Sequence, residues 1–140
     1  MSKNKIIFIG ASARSGSSIF ETHLAKKLDC LVVGELRWFW KRGVIDNEKC
    51  SCGEWFHDCE FWTNHSMSTN KGFAIEMEQH KLYFDKFLNV LPFYIPFTRH
   101  KRWQEKWDEY SNGLNVLYTE AAQNRRIIID SSKRPFYFII

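Results

Sequence analysis

The sequence predicts an α/β fold built around a parallel sheet. Three short apolar runs, at 5–9, 31–34 and 127–130, have the length and composition of buried strands. Stretches with helical spacing separate them, and strands that alternate with helices are typical of parallel sheets. Each run also ends in residues suited to binding or catalysis, and in such sheets ligands bind at the carboxyl ends of the strands.

The elements follow one another in a simple order. The strand at 5–9 is followed by a crossover helix at 17–28 and by the strand at 31–34. Residues 35–70 lack clean periodicity and predict an irregular excursion, with a short helical piece at 36–42. The apolar residues of the crossover helix, expected to face the sheet, are Ile19, Phe20, Leu24, Ala25 and Leu28.

The second half of the chain is predicted to be mainly helical. Helical spacing returns at 72–91, and Pro92 and Pro96 should break it. A second long helix is expected at 102–124, before the strand at 127–130. A chain of 140 residues can bury one core, so we expect a single domain over 1–140.

Composition narrows the possible functions. The net charge of +4 is mild and its basic residues are dispersed, which suits an anionic cofactor but predicts no nucleic-acid partner. No apolar run is long enough for a membrane span, and the N-terminus lacks the features of a signal peptide. We therefore expect a cytoplasmic protein with no membrane partner, whose four cysteines are reduced thiols or ligands rather than disulfides.

The loop from Gly10 to Ser18, between the first strand and the first helix, predicts a phosphate or sulfate site. Its small residues let backbone N–H groups approach an anion, and the helix N-terminus adds unpaired N–H groups. An NTP-binding loop reads G-x-x-x-x-G-K-[ST], but here Ser17 stands where that lysine belongs, and Arg14 lies inside the loop. An arginine there can clamp an oxyanion without a bridging metal. From the loop alone, an ordinary Ser/Gly-rich turn with Ser17 or Ser18 as the N-cap remains open.

Four segments in the same order resemble one enzyme family. They are Ala13–Ser18, Val33–Leu36, the cysteine segment Cys50–Gly53 with Cys59–Trp62, and Ile129–Pro135. Together they resemble bacterial-type sulfotransferases that use 3′-phosphoadenosine 5′-phosphosulfate (PAPS), a family distantly similar to tyrosylprotein sulfotransferases. The resemblance covers nearly the whole chain and implies a P-loop-type three-layer sandwich with a parallel sheet.

The resemblance also implies roles for individual residues. Glu35 would be the general base for the acceptor hydroxyl, and Lys133, in the family's Lys-x-Pro segment, would stabilise the bridging oxygen of the leaving group. Arg14 would act both in binding and in catalysis. The residues that would hold the phosphosulfate are Arg14, Ser15, Gly16, Ser17 and Ser18. From the residues alone, Glu35 could instead be a helix N-terminal glutamate and Lys133 a solvated lysine.

Full-length members of the family continue into a segment resembling Arg-Asp-Pro-Arg, which grips the 3′-phosphate. Here the sequence stops at Phe138-Ile139-Ile140, so we expect an incomplete, C-terminally truncated sheet of about three strands. Losing the 3′-phosphate grip should remove several charge-assisted hydrogen bonds, each worth roughly 1.5–3 kcal/mol. The expected partners are a small-molecule, glycan or peptide acceptor, together with a second copy of the chain or the missing C-terminal half.

Two further interpretations remain open. A P-loop kinase or NTPase is suggested by Asp130, which ends an apolar strand as a Mg²⁺-coordinating aspartate does. A non-catalytic fragment that needs a partner is suggested by the open sheet edges.

The cysteine segment favours packing over metal binding. Cys50, Cys52 and Cys59 lie near two histidines and could bind zinc, but Cys-x-Cys is not the usual zinc spacing. The favoured interpretation is that these thiols are small buried hydrophobic groups in an irregular lid, with no metal.

Overall fold

The structure is a computed structural model that describes residues 5–10, 16–123 and 125–132. Its described residues form two compact units. The first contains the chain up to Arg37 and again from Leu117, and the second contains Trp38–Val116.

The first unit is an α/β unit with a three-stranded parallel sheet. Its strands are β1 (Lys5–Phe8), β2 (Leu31–Gly34) and β3 (Ile127–Asp130), in the spatial order β1-β3-β2. Helix α1 (Ser17–Lys27) connects β1 to β2. The α/β class, the parallel sheet and the three predicted strands are therefore confirmed.

The core of this unit lies around the central strand. Ile128 and Ile129 are fully buried on β3, whereas Ile6 on β1 is 45% exposed. The predicted apolar face of α1 is not covered, because Ile19 is 69% and Phe20 is 56% exposed. The prediction that this face packs on the sheet is wrong for these two residues. Strands of four residues, with β1 at the sheet edge, offer too little surface to cover a helix face.

The second unit is helical. The predicted irregular excursion is a series of short turns, and its expected helical piece is a 3₁₀ turn that runs into a π-helix. The short elements of the second unit are 3₁₀ turns at Phe56–Asp58, Ser66–Ser68 and Pro96–Thr98, the π-helix Phe39–Ile45, and α2 (Glu60–Thr63). The 3₁₀ turn Leu36–Trp38 precedes them, and its first two residues belong to the first unit. The longer helices are α3 (Lys71–Phe84), α4 (Phe87–Tyr94) and α5 (Lys101–Ala122), the last of which continues into the first unit.

The helix predicted at 72–91 is interrupted earlier than expected. It breaks between Phe84 and Phe87, and Pro92 lies inside α4 instead of ending it. The break is stabilised by Asn89, whose side-chain amide donates to the backbone carbonyl of Tyr83 at 2.8 Å. Pro92 is the sixth residue of α4, and the intrahelical hydrogen bond that its missing N–H removes is the one to the Leu88 carbonyl.

Aromatic packing explains why the chain turns there. The ring of Phe84 lies 5.8 Å from that of Trp103 and 5.4 Å from that of Trp107, measured between centroids. Phe93 of α4 lies 4.8 Å and 4.5 Å from the same two rings. The turn after Phe84 thus lets two helices contribute phenylalanines to one cluster on α5.

A buried ion pair lies on α3. Lys81 is 1% exposed, and its Nζ lies 2.5 Å from Glu78 Oε2. The same ammonium group lies 4.8 Å from the centroid of the Trp38 ring. The charge of Lys81 is therefore held by a carboxylate and by an aromatic face.

Among the described residues, no helix is both long enough and apolar enough to cross a membrane.

Candidate functional site

The carboxyl ends of the three strands lie side by side in the first unit. Phe8 pairs with Asp130, which also pairs with Gly34 of β2. Beyond the strands, Ile9 donates its N–H to the Asp130 carbonyl at 2.8 Å, and Ser131 donates its N–H to the Gly34 carbonyl at 2.9 Å. The segments after the strands are thus brought to one edge, as the sequence predicted.

Gly34 shapes the end of β2. Its φ of 68° lies in the left-handed region, and the register between β2 and β3 shifts between Val32 and Gly34. Glycine adopts this conformation without the steric cost that other residues incur. The turn places Glu35, which is half-buried, directly after the strand and beside the end of β3.

Asp130 organises this edge of the sheet. It is 2% exposed, and its Oδ1 accepts hydrogen bonds from Ser132 Oγ at 2.6 Å and from the Ser132 N–H at 2.7 Å. Its Oδ2 accepts a hydrogen bond from the Tyr118 hydroxyl, and the backbone of Leu36 is also bonded to the carboxylate. Ser132 Oγ in turn accepts the Arg37 N–H at 3.0 Å. The network therefore joins β3, the segment after β2, and the end of α5.

The protonation of this network follows from its burial. Burial raises the pKa of Asp130, and the hydrogen bonds from Ser132, Tyr118 and Leu36 act in the opposite direction. Burial and the nearby carboxylate strongly raise the pKa of Tyr118, so its hydroxyl remains a donor. Both carboxylate oxygens of Asp130 are thus engaged by the protein's own donors. Its hydrogen bond to the backbone of Leu36 ties the end of β3 to the turn that contains Glu35.

Helix α1 begins after Gly16, and Ser17, its first residue, is buried. Gly16 is the N-cap, and its carbonyl accepts the N–H groups of Ile19 at 3.0 Å and Phe20 at 3.2 Å. No side chain among the described residues caps this end, and no acidic residue lies in the first turn. The N–H groups of Ser17 and Ser18 belong to the first turn of the helix, where backbone N–H groups have no intrahelical acceptor. Such N–H groups are the ones that bind anions at helix N-termini.

The structure places some of the predicted site residues. Gly16, Ser17, Ser18 and Glu35 are among the described residues, at the positions given above. The predictions for Arg14, Ser15 and Lys133 lie outside the described residues.

Sequence reasoning missed the partners of Asp130. Tyr118 lies on the helix predicted at 102–124 and Ser132 follows the strand predicted at 127–130, but neither pattern predicts a hydrogen bond to Asp130. The available signal was weak: a tyrosine in an apolar stripe carries a hydroxyl that needs a partner when it is buried.

The second unit contains a separate cavity of about 330 Å³, with His57, Ser68 and Lys71 among its lining residues. His57 Nε2 lies 3.0 Å from the Val44 carbonyl, and Ser68 Oγ donates to the His65 carbonyl at 2.7 Å. The polar groups of His57 and Ser68 are thus engaged by backbone carbonyls.

Two clusters of potential metal ligands occur within the described part of the chain, both in the second unit. One consists of Glu76, His80 and Glu109, and the other of Cys50, Cys52 and Cys59. The expectation that the three thiols are buried holds for Cys59, which is 2% exposed, but Cys50 is half-buried and Cys52 is exposed. Because the turn carrying Cys50 and Cys52 faces solvent, simple hydrophobic packing does not account for the cluster.

Comparisons with protein-family models, with curated proteins and with solved structures found no match to this chain.

Proposed function

We propose that this chain is a sulfotransferase-like protein that transfers a sulfuryl group from PAPS to a hydroxyl or amine acceptor. The proposal includes a P-loop-type three-layer sandwich, of which the three-stranded parallel sheet is the central part. The observation that carries it is the convergence of strand ends, which brings the Glu35 turn beside the end of β3.

The phosphosulfate would bind at the start of α1. The N–H groups of Ser17 and Ser18 and the positive end of the helix dipole favour an anion there, and the absence of an acidic first turn removes a competing charge. Arg14 and Ser15, in the loop before the helix, would complete the grip. Arg14 supplies the cation that a lysine supplies in NTP-binding loops.

The reaction would be an in-line displacement at sulfur. The acceptor oxygen or nitrogen forms a bond to sulfur as the bond between sulfur and the bridging oxygen breaks. Glu35 takes the acceptor proton, and the bridging oxygen leaves as part of 3′-phosphoadenosine 5′-phosphate, with its charge stabilised by Lys133. Asp130 would hold the Glu35 turn in place through its bond to the backbone of Leu36.

The kinase or NTPase alternative depends on Asp130 as a Mg²⁺ ligand. Both oxygens of this carboxylate accept hydrogen bonds from Ser132 and Tyr118, and the residue is 2% exposed. A metal ion would have to displace these donors from a buried site. This geometry favours sulfuryl transfer over Mg²⁺-dependent chemistry.

A non-catalytic role with a partner is favoured by a different observation. Ile6, Ile19 and Phe20 of the first unit are each 45% exposed or more. Exposed apolar side chains of this kind are typical of a surface that binds another protein chain. Light scattering after size-exclusion chromatography tests this role, which a well-behaved monomer at all concentrations would contradict.

Calorimetric titration with PAPS and with 3′-phosphoadenosine 5′-phosphate, in the absence of Mg²⁺, tests the proposed function. We expect binding by the wild type, none by Arg14→Ala, and unchanged binding by Arg42→Ala, whose arginine is solvent-exposed in the second unit. Glu35→Gln should keep the product bound while transfer to hydroxyl and amine acceptors is lost. Absence of heat and of a thermal shift at millimolar ligand would contradict the proposal, and Mg²⁺-dependent ATP binding would favour the kinase alternative.

A further inference from the structure

Three thiols of the second unit lie within bonding reach of a single metal ion. Cys59 Sγ lies 3.6 Å from Cys50 Sγ and 3.6 Å from Cys52 Sγ, and the three sulfurs all lie within 4.8 Å of one another. A tetrahedral zinc site with Zn–S bonds of about 2.3 Å has sulfur–sulfur edges of about 3.8 Å. The two short separations are therefore close to those of a zinc site.

We propose that Cys50, Cys52 and Cys59 bind one Zn²⁺ ion as three thiolates, with water or another exchangeable ligand in the fourth position. Among the described residues, no fourth carboxylate, imidazole or thiol belongs to the cluster. Binding adds three Zn–S bonds and releases the proton of each thiol that was protonated, with no change of oxidation state. Soft thiolate donors in this number select zinc over Mg²⁺ or Ca²⁺.

The backbone brings the three sulfurs together by a tight turn and a helix start. Lys49 and Trp55 pair as antiparallel neighbours, and the turn between them is closed by a hydrogen bond of 2.9 Å from the Gly53 N–H to the Cys50 carbonyl. Cys50 and Cys52 lie on this turn. Cys59 precedes α2 directly. This local geometry compensates for a sequence spacing that is shorter than the usual Cys-x₂-Cys.

The sulfurs are also supported by backbone donors. Cys50 is hydrogen-bonded by the backbone of Cys52, and Cys59 by the backbones of Phe61 and Trp62. Hydrogen bonds of this kind orient metal ligands and stabilise thiolate charge. Exposed Cys52 gives an ion a path from solvent, while buried Cys59 anchors the other side of the site.

The arrangement fits a metal better than a disulfide. A disulfide joins two sulfurs at about 2.05 Å and leaves the third cysteine unpaired. Here Cys59 is equally distant from both turn cysteines, as expected when all three share a central ion. The ion would fasten the Lys49–Trp55 turn to α2, in a part of the chain with little regular structure.

Metal titration of the full chain tests this proposal. Reduced, metal-free protein is first titrated with Co²⁺, and binding is monitored by the thiolate-to-cobalt charge-transfer absorption. It is then titrated with Zn²⁺ in competition with a chromophoric chelator. We expect one ion per chain, displacement of Co²⁺ by Zn²⁺, and a zinc-dependent rise in thermal stability. Cys52→Ser should weaken zinc binding by about 100-fold or more, because one of three protein ligands is lost.

The fourth cysteine provides a matched control. Cys30 lies in the first unit, outside the cluster, so Cys30→Ser should bind Co²⁺ and Zn²⁺ like the wild type. Because Cys52 is exposed, we expect Cys52→Ser to fold, and circular dichroism checks this. Cys59 is buried, so if Cys59→Ser does not fold, Cys50→Ser serves as the second ligand variant. No charge-transfer band at saturating Co²⁺, equal losses in Cys30→Ser and Cys52→Ser, or a disulfide between two cluster thiols in place of metal binding would each overturn the proposal.

Discussion

Replacing Tyr118 by phenylalanine removes one hydroxyl from the buried hydrogen-bond network of Asp130. The hydroxyl donates to Asp130 Oδ2, and the carboxylate is 2% exposed, so water cannot readily replace the lost donor. A hydrogen bond to a charged group contributes about 1.5–3 kcal/mol, and an unsatisfied buried acceptor adds to its loss. We expect Tyr118→Phe to lower the stability of the first unit by about 2 kcal/mol at neutral pH.

The effect should depend on pH in a defined direction. Burial raises the pKa of Asp130 above its ordinary value of 3.8, so the folded chain holds this proton more tightly than the unfolded chain does. The contribution of Asp130 to stability is therefore largest below that ordinary value and declines as pH rises through the folded-state pKa. Loss of the Tyr118 donor raises this pKa further. Below pH 3.8 the raised pKa keeps the carboxyl mainly protonated, so the cost there should approach about 1 kcal/mol, the value of a neutral hydrogen bond.

Hydrogen exchange is the suitable assay, because all six tryptophans lie in the second unit and do not report on the sheet. The peptide covering β3 and Ser131, whose N–H bonds to the Gly34 carbonyl, should exchange about 30-fold faster in Tyr118→Phe at neutral pH. At the lower pH the ratio should be about fivefold after correction for intrinsic rates. Tyr94→Phe is the control, because Tyr94 is 65% exposed in the second unit. A ratio below about twofold at neutral pH, or one that does not decrease on acidification, would refute the role given to this network.

Two other substitutions probe the helical unit, with urea denaturation followed by tryptophan fluorescence. In Gly43→Ala the new Cβ would lie 2.6 Å from a ring carbon of Phe56, so we expect the free energy of unfolding to fall by about 1–3 kcal/mol. Gly72→Ala is the control, because its new Cβ would lie 3.6 Å from its nearest neighbour and should not destabilise the unit. Equal urea midpoints for the two variants would contradict this packing. Lys81→Met should lower the free energy of unfolding by about 3–5 kcal/mol, because it leaves the Glu78 carboxylate buried without its ammonium partner. Adding Glu78→Leu to this variant should restore most of the lost stability. Failure of the double variant to recover would show that the ion pair is not the source of the cost.

Local periodicity was sufficient to predict much of the fold. The strands ending at Gly34 and Asp130 were predicted from apolar runs, because a buried strand needs little beyond its own composition to be recognised. The helix start at Ser17 was predicted from its neighbours in sequence. The meeting of the strand ends followed as well, because parallel strands place their carboxyl ends at one edge.

Burial and helix breaks were harder to predict. Ile19 and Phe20 have helical spacing, yet their exposure depends on how much surface the rest of the unit offers to cover them. The break after Phe84, rather than at Pro92, depends on aromatic partners that lie on a different helix. Neither quantity is a local property of the sequence.

The sequence by itself determined the α/β class, the order of the elements and the edge at which the carboxyl ends of the three strands meet. Only the tertiary structure decided that Tyr118 bonds to Asp130 and that Cys59 joins the two cysteines of the turn. The physical reason is that strand and helix formation reflect periodicities within a few residues. A side-chain hydrogen bond or a shared metal ion depends on distances of a few ångströms, which are set only after the backbone has folded.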